Sequence, residues 1–584
     1  MAIVDVDQIW LSLGQWGSYQ RRQLIVLLLA IWSCGFHVLS IVFLGYRPQY
    51  ECKEVLNSNS TVAESFMNQS IIREYEKCSI KTTLNDTGVV TVTETGCTNG
   101  WNYHEFYGQF SNERSVVSEW DLVCERKELA EVSQTLVMLG QGFGAFIFTS
   151  LSDRFGRKRI HIVCHVTLFG IALATAFVPN FSSFAVMRIL TGGFQQGTGL
   201  TIAILNLEIM PKGVRGYVEV FGLLFWTTGI AIITPVAYIF RNMSWRHFQT
   251  CLACLSAWAL IEWWLIDESL RWLIANGRVK EAKAIIKKAC KLNKKDYDEV
   301  ASVSGFQAYE MHSGIEIEVQ KDTKKTPESD TEVLTTENGI ANGMDKNVVS
   351  TKTYTAIDLI KSKRLFLTSI IMWFAWITNS STYYGIMLIS SSLAGDRFLN
   401  FFLGSVVEYP AAFMEWAMIN RYGRKPTCIA FHCICGVALI TATILTTTAN
   451  GNSAMILGST VFTLIGKFAI TGSFSTIFLY TPELYPTNMR NLGIGMSSAA
   501  ARIGGMLAPF SRNLAEVAVW APGLVFGIMC AIVSVTMLWV PETNQYELPQ
   551  TLEECERWYK DNRFKAPCGS RRHRERTESD QQMS

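Results

Sequence analysis

The chain has 584 residues, of which 49% are hydrophobic and only 17% are charged. Soluble domains carry roughly 25% charged residues, so the deficit points to a membrane protein with lipid as its surroundings. The formal net charge of +2 lacks the basic excess of a nucleic-acid binder, and the fifteen cysteines are scattered, so neither a nucleic-acid partner nor a metal site is expected.

The first apolar run starts near Leu24, behind Arg21 and Arg22, and is long enough to cross a bilayer at 1.5 Å per residue. Gly45-Tyr46-Arg47-Pro48 follows it in place of a small-residue cleavage site, so it reads as a retained span. Residues 45–127 form a long polar loop with Cys52, Cys78, Cys97 and Cys124 and with N-x-S/T sequons at Asn59, Asn68 and Asn85. Four cysteines beside glycan acceptors suit an oxidising compartment, so the loop is expected outside, disulfide-bonded and glycosylated. Three pairings of the four cysteines are open. Asn180, Asn242 and Asn379 also fit the sequon but lie near or within apolar runs.

A second span, near 129–151, is rich in glycine at Gly140, Gly142 and Gly144, which lets helices approach closely in lipid. It runs into Asp153-Arg154-Phe155-Gly156-Arg157-Lys158-Arg159, a basic loop of the cytoplasmic kind. Spans near 161–178, 183–207, 217–240 and 247–266 complete a first half, residues 1–268. Between the fourth and fifth lies Glu208-Ile209-Met210-Pro211, with Arg215 seven residues after the glutamate.

Residues 269–364 form a cytoplasmic linker without a span. Arg278 to Lys295 reads as an amphipathic basic helix with Val279, Ala282, Ile285, Ile286 and Cys290 on one face. Residues 312–352 have the polar composition of a disordered segment. The second half, residues 365–540, repeats the plan with spans near 365–389, 398–419, 427–447, 454–480, 491–510 and 522–540. Glu483-Leu484-Tyr485-Pro486 with Arg490 repeats the Glu208 turn 275 positions later, and Asn420-Arg421-Tyr422-Gly423-Arg424-Lys425 repeats the Asp153 loop. Glu542 likewise repeats Glu268. Twelve spans place both termini, including the basic tail 541–584, in the cytoplasm.

Two six-span halves with this loop after the second span resemble the major facilitator superfamily, an all-α membrane fold of twelve transmembrane helices. Gly14-Gln15-Trp16-Gly17-Ser18-Tyr19-Gln20, Ser118-Glu119-Trp120-Asp121-Leu122-Val123-Cys124, Glu268-Ser269-x-Arg271-Trp272-Leu273 and the Glu483–Arg490 turn are similar to the organic cation, carnitine and organic anion transporters of solute carrier family 22. The resemblance implies a multi-pass plasma-membrane carrier, not an enzyme, that binds a small organic ion without a cofactor. Coupling to sodium or to protons is left open.

Charges inside spans are expensive and mark function; here they are Glu408, Glu415, Lys467 and Arg502. Glu262 sits near a span end, where it is expected to snorkel. Arg502, about twelve residues into its span, offers a fork for a carboxylate. The resemblance supports that reading, since anion and carnitine carriers have arginine there where several cation carriers have aspartate. Glu408 is expected to neutralise an ammonium group, with Lys467 as its partner or as a further substrate contact. Trp226, Phe225, Trp373, Trp376, Tyr383 and Tyr384 are candidate cage aromatics, Trp226 and Tyr383 aligning best with the family's pocket, and Gln195 and Gln196 are candidate cavity lining. Asp153, Arg157, Glu208, Arg215, Glu483 and Arg490 are expected to form a cytoplasmic latch between the halves. The function expected is alternating-access transport of organic cations and zwitterions, carnitine-like compounds among them. An organic anion exchanger is the alternative, and a non-transporting receptor or adaptor with a carrier fold is the reading from another class.

Overall fold

The computed structural model describes residues 4–53, 70–86, 89–105, 108–109, 114–310, 359, 362–390, 393, 395–486, 489–544, 549 and 552–562. Helix α1 (Val6–Ser12) is capped by Asp5, whose carboxylate accepts from the Asp7 and Gln8 amides. Helix α2 (Ser18–Leu39) is the first span. The segment after it is not an irregular loop. Strands β1 (Gln49–Cys52), β2 (Ser70–Tyr75), β3 (Ser79–Asp86), β4 (Val89–Gly96), β5 (Trp101–Glu105) and β6 (Gly108–Gln109) form two antiparallel three-stranded sheets, ordered β1-β5-β6 and β2-β3-β4. The β3–β4 pair runs in register from Ser79 opposite Gly96 to Asp86 opposite Val89. Cys52 is joined to Cys97 and Cys78 to Cys124, which fixes the one pairing of the three left open and ties the sheets to the next span. In the same domain burial and the Asp121 carboxylate, 2.7 Å from the Tyr103 hydroxyl, hold that phenol well above its ordinary pKa, so it donates as a neutral group. Asn85 lies on β3, whereas Asn59 and Asn68 lie outside the described residues. Asn180 caps a helix through the Ser183 amide, and Asn379 is fully buried.

Helices α3 (Glu128–Phe155), α4 (Arg157–Thr175), α5 (Phe181–Ile209) and α6 (Arg215–Ile239) follow. The sixth span is α7 (Trp245–Leu255) continued by a 3-10 turn into α8 (Glu262–Leu265). Eight helical segments among the described residues have the length and hydropathy of a span, including those built on α2, α3, α4, α6 and α7. Helix α5 and three further spans of the second half, polar enough to fall below that hydropathy, bring the spans among the described residues to twelve, the number of a major facilitator fold.

Small residues set the α3–α5 crossing. A Cβ on Gly140 would stand 2.0 Å from the Ile189 carbonyl, and one on Gly144 would stand 2.3 Å from that of Gly193. Gly142 has open space around it. Gly140→Val is therefore expected to abolish folded protein on size-exclusion chromatography, and Gly142→Ala to leave the peak unchanged.

Below the first half, α9 (Leu270–Ala275), α10 (Val279–Asn293) and α11 (Tyr297–Val303) pack with α1 on the inner face, the face opposite the sheets. Helix α10 buries Val279, Ala282, Ile286, Ala289 and Cys290, close to the face read from the sequence. Its Asn293 accepts from the Tyr19 amide at 2.8 Å and donates to the Leu13 carbonyl at 3.0 Å, which fastens this plate to α2. The expected disordered stretch 312–352 lies outside the described residues.

The second half holds α12 (Lys363–Ile389), α13 (Arg397–Val406), α14 (Glu408–Tyr422), α15 (Arg424–Thr448), α16 (Ser453–Glu483), α17 (Arg490–Leu507) and α18 (Ala521–Thr536). The eighth span is broken between α13 and α14, one turn before Pro410. Its ring clashes with the carbonyl four residues back and it has no amide to donate. A last helix, α19 (Leu552–Asn562), lies in the expected tail and packs Cys555 and Tyr559 into the core of the second half.

The duplication is visible in atoms. Gly156 (φ +104°) and Gly423 (φ +96°) occupy the same turn in the two halves, where only glycine is unstrained. Against them sit Glu268 and Glu542. Glu268 accepts from the Lys158 amide at 3.0 Å, and Glu542 accepts from the Arg424 and Lys425 amides at 3.0 Å each.

Candidate functional site

Four helices converge at the centre. The break before α14 places Glu408 at the first residue of a half-helix, the end that favours negative charge. Glu408 Oε1 is 2.8 Å from Lys467 Nζ of α16, and both side chains are fully buried. The same oxygen accepts from the Tyr383 hydroxyl of α12 at 2.8 Å, and Oε2 accepts from Thr227 of α6 at 3.1 Å. The Lys467 ammonium also lies 3.1 Å from the centre of the Tyr383 ring. Trp226 Nε1 donates to the Tyr383 oxygen at 3.0 Å, and Thr228 pairs with the Tyr409 hydroxyl at 2.7 Å. Trp226, Thr227 and Thr228 belong to the first half and the others to the second, so this network bridges the halves in mid-membrane. Its charges cancel within the protein.

Arg502 stands apart from that pair. It lies half-buried on α17, beside Tyr384, and donates to Gln196 Oε1 of α5 across the halves at 2.8 Å. Among the described residues no carboxylate pairs with it. Gly504 lets α17 close on α12, since a Cβ there would be 2.3 Å from the Ile377 carbonyl. Gln195, expected to line the cavity, is instead buried and accepts from Gln141 of α3 at 2.8 Å. One residue along a helix turns a side chain by about 100°, so its neighbour Gln196 is the one that faces the centre. Trp376 is also turned away. It donates to Thr481 at 2.8 Å inside the second half, where Trp373 packs as well. Glu415 is buried and faces Glu219 of the first half.

At the inner face the ion pairs run within each half, not between them as expected from the latch motifs. Arg157 meets Asp153 at 3.0 Å and Glu208 at 3.5 Å. Arg424 grips Glu483 through two bonds of 3.1 Å. Arg215 donates to the Leu207 and Met210 carbonyls and pairs with Asp7, while Arg490 donates to the Pro482 carbonyl at 2.9 Å. Both arginines thus cap a helix C-terminus.

Among the described residues the ion pairs between halves lie at the outer, sheet-bearing face. Arg47 joins Glu131 at 3.0 Å, pairs with Glu516 and donates to Asn513 at 2.9 Å. Arg512 donates to the Gly45 carbonyl at 3.2 Å and approaches Glu131 at 3.8 Å. Phe43 stacks on Phe398 at 5.4 Å, and the Arg397 guanidinium lies 3.7 Å above the Tyr46 ring. Sequence reasoning missed these residues because they sit at span ends, where a charge is ordinary.

The chain matches the family described as Sugar (and other) transporter over residues 88–558. It is 29% identical over 571 residues to organic cation/carnitine transporter 2 of Mus musculus, covering 94% of each chain. It is 30% identical over 564 residues to the organic cation transporter protein of Drosophila melanogaster, covering 95% of each. Its fold is similar to that of the xylose transporter XylE from E. coli in a partially occluded inward open conformation, with a TM-score of 0.54 at 13% identity over 89% of this chain and 99% of that one.

Proposed function

The chain belongs to the sugar (and other) transporter family, and within it to solute carrier family 22, and from that premise we propose that it carries small organic zwitterions and cations across the plasma membrane by alternating access. The relatives and the fold are those of membrane transporters, not enzymes. The observation that carries the finer reading is the contrast between Arg502, which no acid neutralises among the described residues, and Glu408, which Lys467 does neutralise. A substrate carboxylate completes Arg502. An ammonium group then rests on the face of Trp226, half-buried on α6 and bonded to Tyr383 at the centre, while Phe225 stacks on Trp32.

What supports a two-state cycle is the asymmetry of the ties. The outer face is closed by pairs between the halves, and the inner pairs each hold one half together. This is the pattern of a carrier closed to the outside. In the opposite state the Arg47, Glu131, Arg512 and Glu516 cluster separates, while Asp153, Arg157, Glu208, Arg215, Glu483 and Arg490 keep each half rigid enough to move as a block.

The net positive charge at the centre also favours a second reading, an exchanger of organic anions. Proteoliposomes holding the full chain separate the two. Labelled carnitine, tetraethylammonium and benzoate are offered in turn. Saturable carnitine uptake is expected, and benzoate uptake without carnitine uptake would move the assignment to anions.

A further inference from the structure

Away from the centre, helices α4 and α8 bring His161, His165 and Glu262 together. All three side chains are fully buried. His161 Nε2 and His165 Nδ1 lie 3.1 and 2.8 Å from the same oxygen, Glu262 Oε2, and the three donor atoms lie within 4.8 Å of one another. We propose that these three residues form a binding site for a divalent transition metal of zinc's class, inside the first half and separate from the substrate site.

Charge is the first argument. Glu262 does not snorkel to the surface as expected from its place near a span end. Its partners are two imidazoles, and no lysine or arginine pairs with it among the described residues. A carboxylate held away from water needs a cation. The donor set is the second argument. Two imidazole nitrogens and one carboxylate oxygen make a known three-ligand zinc arrangement, and histidines at i and i+4 present both rings on one helix face.

Hydrogen-bond accounting is the third. Thr201 Oγ1 lies 3.0 Å from His161 Nδ1 and 2.9 Å from the carbonyls of Gly197 and Thr198. With its proton on one of those carbonyls, it accepts from His161 Nδ1–H. The lone pair of Nε2 then points at Glu262 Oε2, and two acceptors would face each other with nothing between them. A cation between them resolves this, and Thr201 becomes the outer partner that orients a metal-bound imidazole. Glu262 Oε1 and His165 Nε2, both buried, have no hydrogen-bond partner. Donor atoms around a tetrahedral zinc stand about 3.3 Å apart for bonds of about 2.0–2.1 Å, so the two nitrogen–oxygen spacings of 3.1 and 2.8 Å need to open by only a few tenths of an ångström. Cys251 and Cys254, the single C-x-x-C pair in the chain, take no part in this set.

The test uses the full chain purified in detergent, equilibrated with zinc and dialysed against metal-free buffer. Elemental analysis is expected to find about one zinc per native chain and almost none in His161→Gln or His165→Gln. Cobalt in place of zinc is expected to give the intense visible bands of a tetrahedral site, and a chelator to lower the unfolding temperature of the native chain. The last two measurements need only the native protein, so they decide the matter even where a variant fails to fold. Equal zinc in native chain and variants, absent cobalt bands, or an unfolding temperature indifferent to chelator would overturn the site. A proton shared between Glu262 and an imidazole would then be the neutralising cation.

Discussion

Replacing Arg502 with alanine is expected to lower the initial rate of carnitine uptake about 10- to 100-fold at subsaturating substrate. The estimate follows from losing charge-assisted hydrogen bonds of about 1.5–3 kcal/mol, at about 1.4 kcal/mol per tenfold. Arg502→Lys is expected to recover little, because a point ammonium cannot reproduce the planar two-pronged contact with a carboxylate. Tetraethylammonium, which has no carboxylate, is expected to enter at least as fast in Arg502→Ala as in the native chain. Rates are to be normalised to carrier at the cell surface. Undiminished carnitine uptake by Arg502→Ala would remove the carboxylate from this arginine. The loss of the Gln196 contact is a small matter beside this, since a neutral amide gives up one hydrogen bond.

Lys467→Ala is expected to destabilise the folded chain by about 3–5 kcal/mol, the effect of leaving one partner of a buried ion pair alone. Glu408 would keep its bonds from Tyr383 and Thr227 but lose its counter-charge. The double variant Glu408→Gln with Lys467→Met is expected to be markedly more stable than Lys467→Ala, because no uncompensated charge remains. Thermal unfolding of the native chain, Glu408→Gln, Lys467→Met and the double variant completes the cycle. Additive shifts would mean that the two side chains do not act as a pair. The same double variant also separates stability from selectivity, since Arg502 is untouched.

The duplicated architecture was legible because its landmarks are charged or glycine residues in short loops. Gly156 with Glu268 and Gly423 with Glu542 repeat both in sequence and in hydrogen bonds. Arg502 was legible too, since a charge deep in an apolar run is costly wherever it points. What the sequence could not supply was rotation and pairing. Whether Gln195 or Gln196 faces the centre depends on about 100° of helix phase, and both lie in a run with no strong apolar face. Asp153, Arg157, Glu208, Arg215, Glu483 and Arg490 were legible as repeated charged turns, but which partners each takes was not. The β3–β4 pair was readable in the alternation of Val89-Val90-Thr91-Val92-Thr93-Glu94, although the glycan and cysteine signals drew the reading to a loop. His161 and His165 were visible at helical spacing, but their meaning depended on Glu262, about a hundred residues away in the chain.

The cancelled pair at the centre has an electrical corollary. Because Glu408 and Lys467 offset one another, that pair adds nothing to the charge the reorienting carrier moves through the membrane field, whereas Arg502 adds one positive charge to it. A bound zwitterion adds no net charge, so voltage acts alike on the loaded and empty limbs and drops out of the full cycle. A simple cation adds one charge to the loaded limb alone, worth about 2.3 kcal/mol per 100 mV. Depolarising the membrane would then slow the entry of tetraethylammonium and leave carnitine's accumulation ratio unmoved.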